Sequence, residues 1–241
     1  MSRVFAFLGA GEFEPWSEVV DRWMLARVDG DGRVLVLPTA SAPEGEDVFD
    51  AWATKALTHY ERLGIQAEVV PIKTREDADD PRYVARLEGA SAVYFSGGNP
   101  YHLATSLQGS AFCREMYACL DRGLGYVGCS AGVACLTETT YDTAVEDLTS
   151  GEIWKPGLGY VRRTLFAPHW DMVDTWFPGA RAFIAGSLEP GQTLVAIDED
   201  TAMVGDGSSW SVLGRSAVHL LQGGAWADLP AGSAFELSLP T

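Results

Sequence analysis

The reading of the fold turns on Tyr126-Val127-Gly128-Cys129-Ser130-Ala131-Gly132-Val133-Ala134. It is the end of an apolar run beginning at Leu124, then a Gly-x-Ser-x-Gly turn, then small residues suited to opening a helix. Strand, tight turn and helix in that order are the context of a nucleophile elbow. A sharp, strained turn needs glycines on both sides of the serine, where a Cβ would collide. It lifts the Ser130 hydroxyl above the strand ends and aims helical N–H groups, Ala131 among them, at an anion formed there. An ordinary Gly/Ser/Ala turn of an α/β protein would use the same letters, so the flanking chain has to decide.

Working towards the N-terminus, apolar strand-like runs alternate with helical spacings. Residues 4–8 are apolar and end at Gly9-Ala10-Gly11; residues 15–28 have helical periodicity; residues 34–37 are apolar again. The pattern continues with a helix at 47–63, a strand at 67–72, a short helix at 81–87 and a strand at 92–95. Helices at 101–107 and 111–121 precede the strand into Ser130. Strands that are apolar throughout, separated by helices, predict a doubly wound, mostly parallel sheet with helices on both faces. Such sheets place ligands beyond their carboxyl ends, where Gly97-Gly98 and Ser130 both fall. After Thr137 the pattern loosens. Residues 138–160 read as loop over the site, 165–168 as a brief strand leading into His169, and 180–187 as helix. Residues 193–221 read as short antiparallel strands at the C-terminal edge of the sheet. With no repeat and no linker, residues 1–241 are expected to form a single α/β domain.

Composition excludes several classes of partner. The net charge is −16 from 17 basic and 33 acidic residues, with no basic cluster larger than Arg162-Arg163. That argues against nucleic acid and against an anionic membrane. The chain enters a five-residue strand almost at once, with no apolar run long enough for a signal or a span. Four cysteines without C-x-x-C spacing are expected to be reduced thiols in a cytoplasmic protein. No metal or organic cofactor is implied. A homodimer is compatible with the surface, although no stripe in the sequence specifies one.

A serine hydroxyl needs a base before it becomes a nucleophile. Of the four histidines, His59 falls in an early helix pattern and His219 among the C-terminal strands, both structural positions. His102 opens the helix after Gly97-Gly98-Asn99 and would line the site with Asn99. His169, in Pro168-His169-Trp170, follows a strand end and is the expected base. Its orienting acid is sought among Glu138, Asp142, Glu146, Asp147 and Glu152, between which spacing does not choose. Gly97-Gly98-Asn99 lets the backbone approach an oxyanion, with the Ala131 N–H as second donor. The same residues also suit a helix cap, with Asn99 as N-cap and Pro100 at the first helical position. Gly9-Ala10-Gly11 is a poor dinucleotide loop, because Phe13-Glu14 replaces the third glycine and Glu12 and Glu14 would face the pyrophosphate.

Four segments in order resemble the peptidase E (aspartyl dipeptidase) and cyanophycinase family of serine peptidases. They are Tyr94-Phe95-Ser96-Gly97-Gly98-Asn99, Gly128-Cys129-Ser130-Ala131-Gly132, Pro168-His169, and Ile197-Asp198-Glu199-Asp200-Thr201-Ala202. The resemblance implies a fold similar to class I glutamine amidotransferases, with Ser130 as nucleophile, His169 as base, and Gly98 and Ala131 as oxyanion donors. It places the acid between serine and histidine, on Asp142 of Thr139-Thr140-Tyr141-Asp142, with Glu146 as rival. The segment rich in Gly, Glu and Arg that helps bind an aspartyl side chain is replaced by Asp171-Met172-Val173-Asp174-Thr175-Trp176-Phe177. Arg162, Arg163 and Arg181 are the remaining nearby cations. That departure argues against strict aspartyl preference and against cyanophycin. The expectation is therefore a serine exopeptidase or dipeptidase acting on short peptides. The alternatives are an amidase of a non-standard amide, using Ser130 or Cys129, and a non-catalytic ligand-binding relative.

Overall fold

A computed structural model of the chain describes residues 3–145, 147 and 150–240. The first half lays down β1 (Val4–Leu8), α1 (Glu18–Leu25), β2 (Val34–Leu37), α2 (Glu46–Leu63) and β3 (Ala67–Val69). There follow α3 (Pro81–Val84), β4 (Ala92–Phe95), α4 (Pro100–Leu107), α5 (Ala111–Asp121), β5 (Gly125–Cys129) and α6 (Ala131–Ala134). The second half comprises β6 (Thr139–Tyr141), β7 (Trp154–Pro156), β8 (Thr164–Pro168), α7 (Val173–Trp176), α8 (Ala180–Gly186) and β9 (Thr193–Ile197). The chain closes with β10 (Thr201–Gly205), β11 (Ser209–Gly214), β12 (Ala217–Gln222), β13 (Ala225–Pro230) and β14 (Ala234–Glu236).

Eight strands form the central sheet in the order β14-β11-β10-β1-β5-β4-β2-β3. The five from β1 to β3 along that order are parallel, and β10, β11 and β14 run antiparallel at the other edge. β1, β2, β4 and β5 are buried along their whole length, which is why their sequences lack polar alternation. The pleat sends alternate side chains into two cores. Val4, Ala6 and Leu8 pack with Val20 and Met24 of α1 and with Ala56 and Tyr60 of α2. Phe5 and Phe7 share the opposite core with Leu103 and Leu107 of α4 and with Phe112 and Met116 of α5. The doubly wound architecture expected from the sequence is present.

The C-terminal half is richer than its sequence pattern. β8, β9, β12 and β13 leave the central sheet and form a second sheet in the order β13-β12-β9-β8, with β8 and β9 parallel. Phe166, Val195 and Ile197 of this sheet face the larger core, while Leu165, Ala167, Leu194 and Ala196 face Trp170 and the α8 residues Ile184 and Ala185. β10, not β8 or β9, takes the open edge beside β1. Within the stretch expected to be loop, β6 and β7 pair antiparallel, Thr140 opposite Lys155. Three-residue strands twelve residues apart are too short to show a period. The helix expected at 15–28 is a 3₁₀ turn at Pro15–Ser17 followed by α1.

Candidate active site

β5 is central, between β1 and β4, so its carboxyl end is held on both sides. The Ser130 N–H donates to the Leu8 carbonyl at 3.0 Å, tying the turn to the end of β1. Ser130 has φ 50° and ψ −106°, the strained conformation of a nucleophile elbow. The flanking glycines are compulsory: a Cβ on Gly128 would stand 2.3 Å from the Gly132 carbonyl oxygen, and one on Gly132 2.4 Å from that of Phe95. Close approach of strand and helix backbones, more than torsional freedom, explains the motif here.

His169 leaves the carboxyl end of β8 with φ 56°, a position no strand or helix dictates. The β8–β9 register pairs Pro168 with Ile197, so the residues beyond each strand emerge side by side. That register brings His169 to Glu199. His169 Nδ1 lies 2.8 Å from Glu199 Oε1, and Nε2 lies 2.9 Å from Ser130 Oγ. Glu199 is itself braced. Its N–H donates to Asp171 Oδ1 at 2.8 Å, and its carbonyl accepts the Thr201 hydroxyl at 3.0 Å. The Trp176 ring lies 5.3 Å from the His169 ring.

Among the described residues, the carboxylate on the imidazole is thus Glu199 and not the expected Asp142. Asp142 accepts from Asn99 Nδ2 at 2.7 Å and from the Ala144 N–H at 3.0 Å, and the acceptor at His169 Nδ1 is Glu199. Glu146 lies outside the described residues. Glu199 stands in an acidic turn directly after a buried strand, as His169 does after β8, and only the register of β8 and β9 joins the two.

Asn99 does cap α4, accepting from the Tyr101 and His102 N–H groups at 3.0 and 3.1 Å. Neither it nor His102 lines the cavity at Ser130. His102 Nε2 lies 2.9 Å from the Lys73 carbonyl oxygen, which turns the ring towards the helix flank. The expectation that His102 lines the site is corrected accordingly. Gly98 has φ 137° and does line the cavity with Ser130. Among the described residues, neither its N–H nor that of Ala131 donates to another protein group. Gly97 is different, since its N–H donates to Glu12 Oε1 at 2.8 Å. The other oxygen of this buried carboxylate, Oε2, accepts from Cys129 Sγ at 3.0 Å. Burial, reinforced by the Glu12 charge, holds the Cys129 thiol well above its ordinary pKa. A fully buried, protonated thiol is not a nucleophile, so Cys129 is a strut beneath the turn.

The cavity at Ser130 has a volume of about 390 Å³. Its walls come from β8 (Phe166, Ala167, Pro168), the β6–β7 region (Tyr141, Thr143, Ile153, Trp154) and the α7–α8 segment (Val173, Trp176, Phe177, Ala180, Phe183, Ile184). A larger hollow of about 550 Å³, lined by Gly30, Leu87 and Leu124 among others, lies at the opposite, amino end of the strands and holds no serine–histidine pair.

A hydroxyl against an imidazole, the imidazole against a carboxylate, and two unclaimed amides nearby are the arrangement that serine hydrolases use. Residues 5–213 match the model of peptidase family S51, and the chain belongs to that family. A solved peptidase from an acI-B1 Actinobacterium is 28% identical, with a TM-score of 0.89 over 98% of each chain. A putative peptidase E protein from Listeria monocytogenes covers 90% of this chain and all of its own at 15% identity and a TM-score of 0.64, a likeness of fold. Cyanophycinases of Nostoc sp. and Synechococcus elongatus are 24% and 26% identical over 174 and 203 residues. The chain spans only 55% and 59% of those relatives' lengths.

Proposed function

We propose that the chain hydrolyses short peptides as an exopeptidase or dipeptidase, through an acyl-enzyme on Ser130. His169 Nε2 takes the Ser130 proton as Oγ attacks the peptide carbonyl, and later delivers it to the departing amine. Glu199 holds the Nδ1–H tautomer, which leaves Nε2 free to accept, and stabilises the imidazolium that forms. The N–H groups of Gly98 and Ala131 receive the tetrahedral oxyanion. Water, activated by the same imidazole, then releases the acid product and restores Ser130. The observation that carries this reading is the unbroken chain from Ser130 Oγ through His169 to Glu199, with both links under 3 Å. Support for short substrates comes from the walls that the β6–β7 and α7–α8 segments raise on the flanks of the cavity.

Turnover of a dipeptide and tripeptide library by the wild type and by Ser130→Ala tests the proposal. Complete loss in the variant, with an unchanged circular dichroism spectrum, is expected. Retained hydrolysis in the variant refutes it.

A further inference from the structure

A peptide side chain beside the scissile bond must rest somewhere, and the space next to Ser130 has a distinct chemistry. Among the described residues, no Lys, Arg, Asp or Glu contributes to its wall. Phe166 is buried at its floor. Trp154 and Phe183 stack against each other with ring centroids 5.9 Å apart and planes 10° from parallel, forming one side. Trp176 and Phe177 stand at the rim, 47% and 39% exposed, among the few large apolar side chains of the described residues that face solvent. Exposed aromatics at the mouth of an apolar cavity mark a binding surface more than a stability feature.

The cations that could have served an acidic side chain are engaged elsewhere. Arg181 Nε donates to the Trp170 carbonyl at 2.8 Å, and its guanidinium lies over the Trp170 ring and beside a separate hollow with His219 and Asp228. The Arg163 guanidinium donates to the carbonyls of Pro190 and Gly191. Arg162 is exposed and does not line the cavity. A carboxylate placed there would lose its water and gain no cationic partner among the described residues. A guanidinium would fare no better, because among the described residues no carboxylate lines the wall.

Resting on the peptidase reading of Ser130, we infer that this cavity is the specificity pocket and selects an apolar, preferably aromatic, side chain adjacent to the scissile bond. Acidic and basic side chains are rejected for want of a counter-charge. The volume of about 390 Å³ suits one bulky side chain with its flanking backbone.

Two dipeptide series test this, X–Ala and Ala–X, with X as Phe, Leu, Ala, Asp or Lys, assayed by kcat/KM with wild type, Ser130→Ala and Ala180→Phe. Ala180 is a buried wall residue, so the phenyl ring introduced there would occupy the pocket. In one series Phe and Leu should exceed Ala by about 100-fold or more, since one methylene in an apolar pocket is worth roughly 10–200-fold. Asp and Lys should fall below Ala. Ala180→Phe should lose the advantage of Phe and Leu over Ala, with an unchanged circular dichroism spectrum showing that the variant folds. Ser130-dependent turnover that favours Asp or Lys, or does not distinguish the side chains, overturns the pocket assignment and leaves the peptidase reading standing. Turnover that survives Ser130→Ala, or none with any X, overturns both.

Discussion

Replacing Glu199 by Gln isolates the contribution of the carboxylate at almost constant volume. In the wild type, Glu199 Oε1 can only accept, so at 2.8 Å it holds the proton on His169 Nδ1 and leaves Nε2 as acceptor for Ser130, 2.9 Å away. A glutamine amide can instead turn its NH2 towards Nδ1. The proton then sits on Nε2, where the ring cannot take one from the hydroxyl. In serine proteases the equivalent change costs roughly 10⁴ in kcat. The Glu199 side chain is 35% exposed, so water can partly restore the wild-type tautomer. We expect a loss of about 10²–10⁴ in kcat, or roughly 3–5 kcal/mol of transition-state stabilisation, with KM little changed. Asp142→Asn is the control, because Asp142 meets Asn99 and Ala144 and not the imidazole. It should cost less than about tenfold on the same scale. The assay is steady-state hydrolysis of a peptide that the wild type cleaves, with both variants shown by thermal melting to be folded. Glu199→Gln within about threefold of wild type, alongside an Asp142→Asn collapse, would refute the assignment of Glu199.

Gly98→Ala should lower kcat by about 10²–10³, the cost of losing one oxyanion donor. Its Cβ would stand 2.4 Å from the Ala40 carbonyl carbon and oxygen at a φ that L side chains rarely adopt, so unchanged kinetics would contradict the packing described. Iodoacetamide should leave activity intact and Cys129 unmodified, because that thiol is buried against Glu12 with a raised pKa; inactivation together with a Cys129 adduct on peptide mapping would contradict this. His219 bridges Asp198 and Asp228, and the Asp198 hydrogen bond raises its pKa. The stabilisation is therefore complete below the unfolded histidine pKa of about 6.5 and is lost as pH rises through the higher folded value. Asp198 is shifted the other way: burial would raise it, but bonds from His219 and Ser216 outweigh burial, so its share persists down to the acid range. Urea unfolding of His219→Gln should show a deficit of about 1 kcal/mol at pH 5.5 that shrinks by pH 9; an equal or larger deficit at pH 9 would contradict the pairing.

The parts of the molecule legible in the sequence are those with a local physical signature. Residues 124–134 announce their strand, strained turn and helix because Gly128 and Gly132 are required by contacts within a few residues or with the adjoining strand end. The parallel strands are legible because burial on both faces removes every polar residue from β1, β2 and β4 save the inward-facing tyrosine of β4. Glu199 was not, because its role arises from a register, Pro168 opposite Ile197, that no spacing encodes. The β6–β7 pair and α7 were missed for a related reason. Three or four residues show no period, and their apolar faces have meaning only once β8 and α8 close around the cavity. His102 illustrates the reverse error. Proximity in sequence to Gly98 suggested the site, but the helix turns the ring to the Lys73 carbonyl.

Covalent trapping of the nucleophile is the most direct test. Incubation with a fluorophosphonate, followed by intact-mass measurement and peptide mapping, should give a single adduct on the peptide that carries Ser130. His169→Ala should slow its formation by at least about 100-fold, as expected when a general base is removed. An adduct on another residue, or equal labelling rates with and without His169, would contradict the claim that this imidazole activates Ser130.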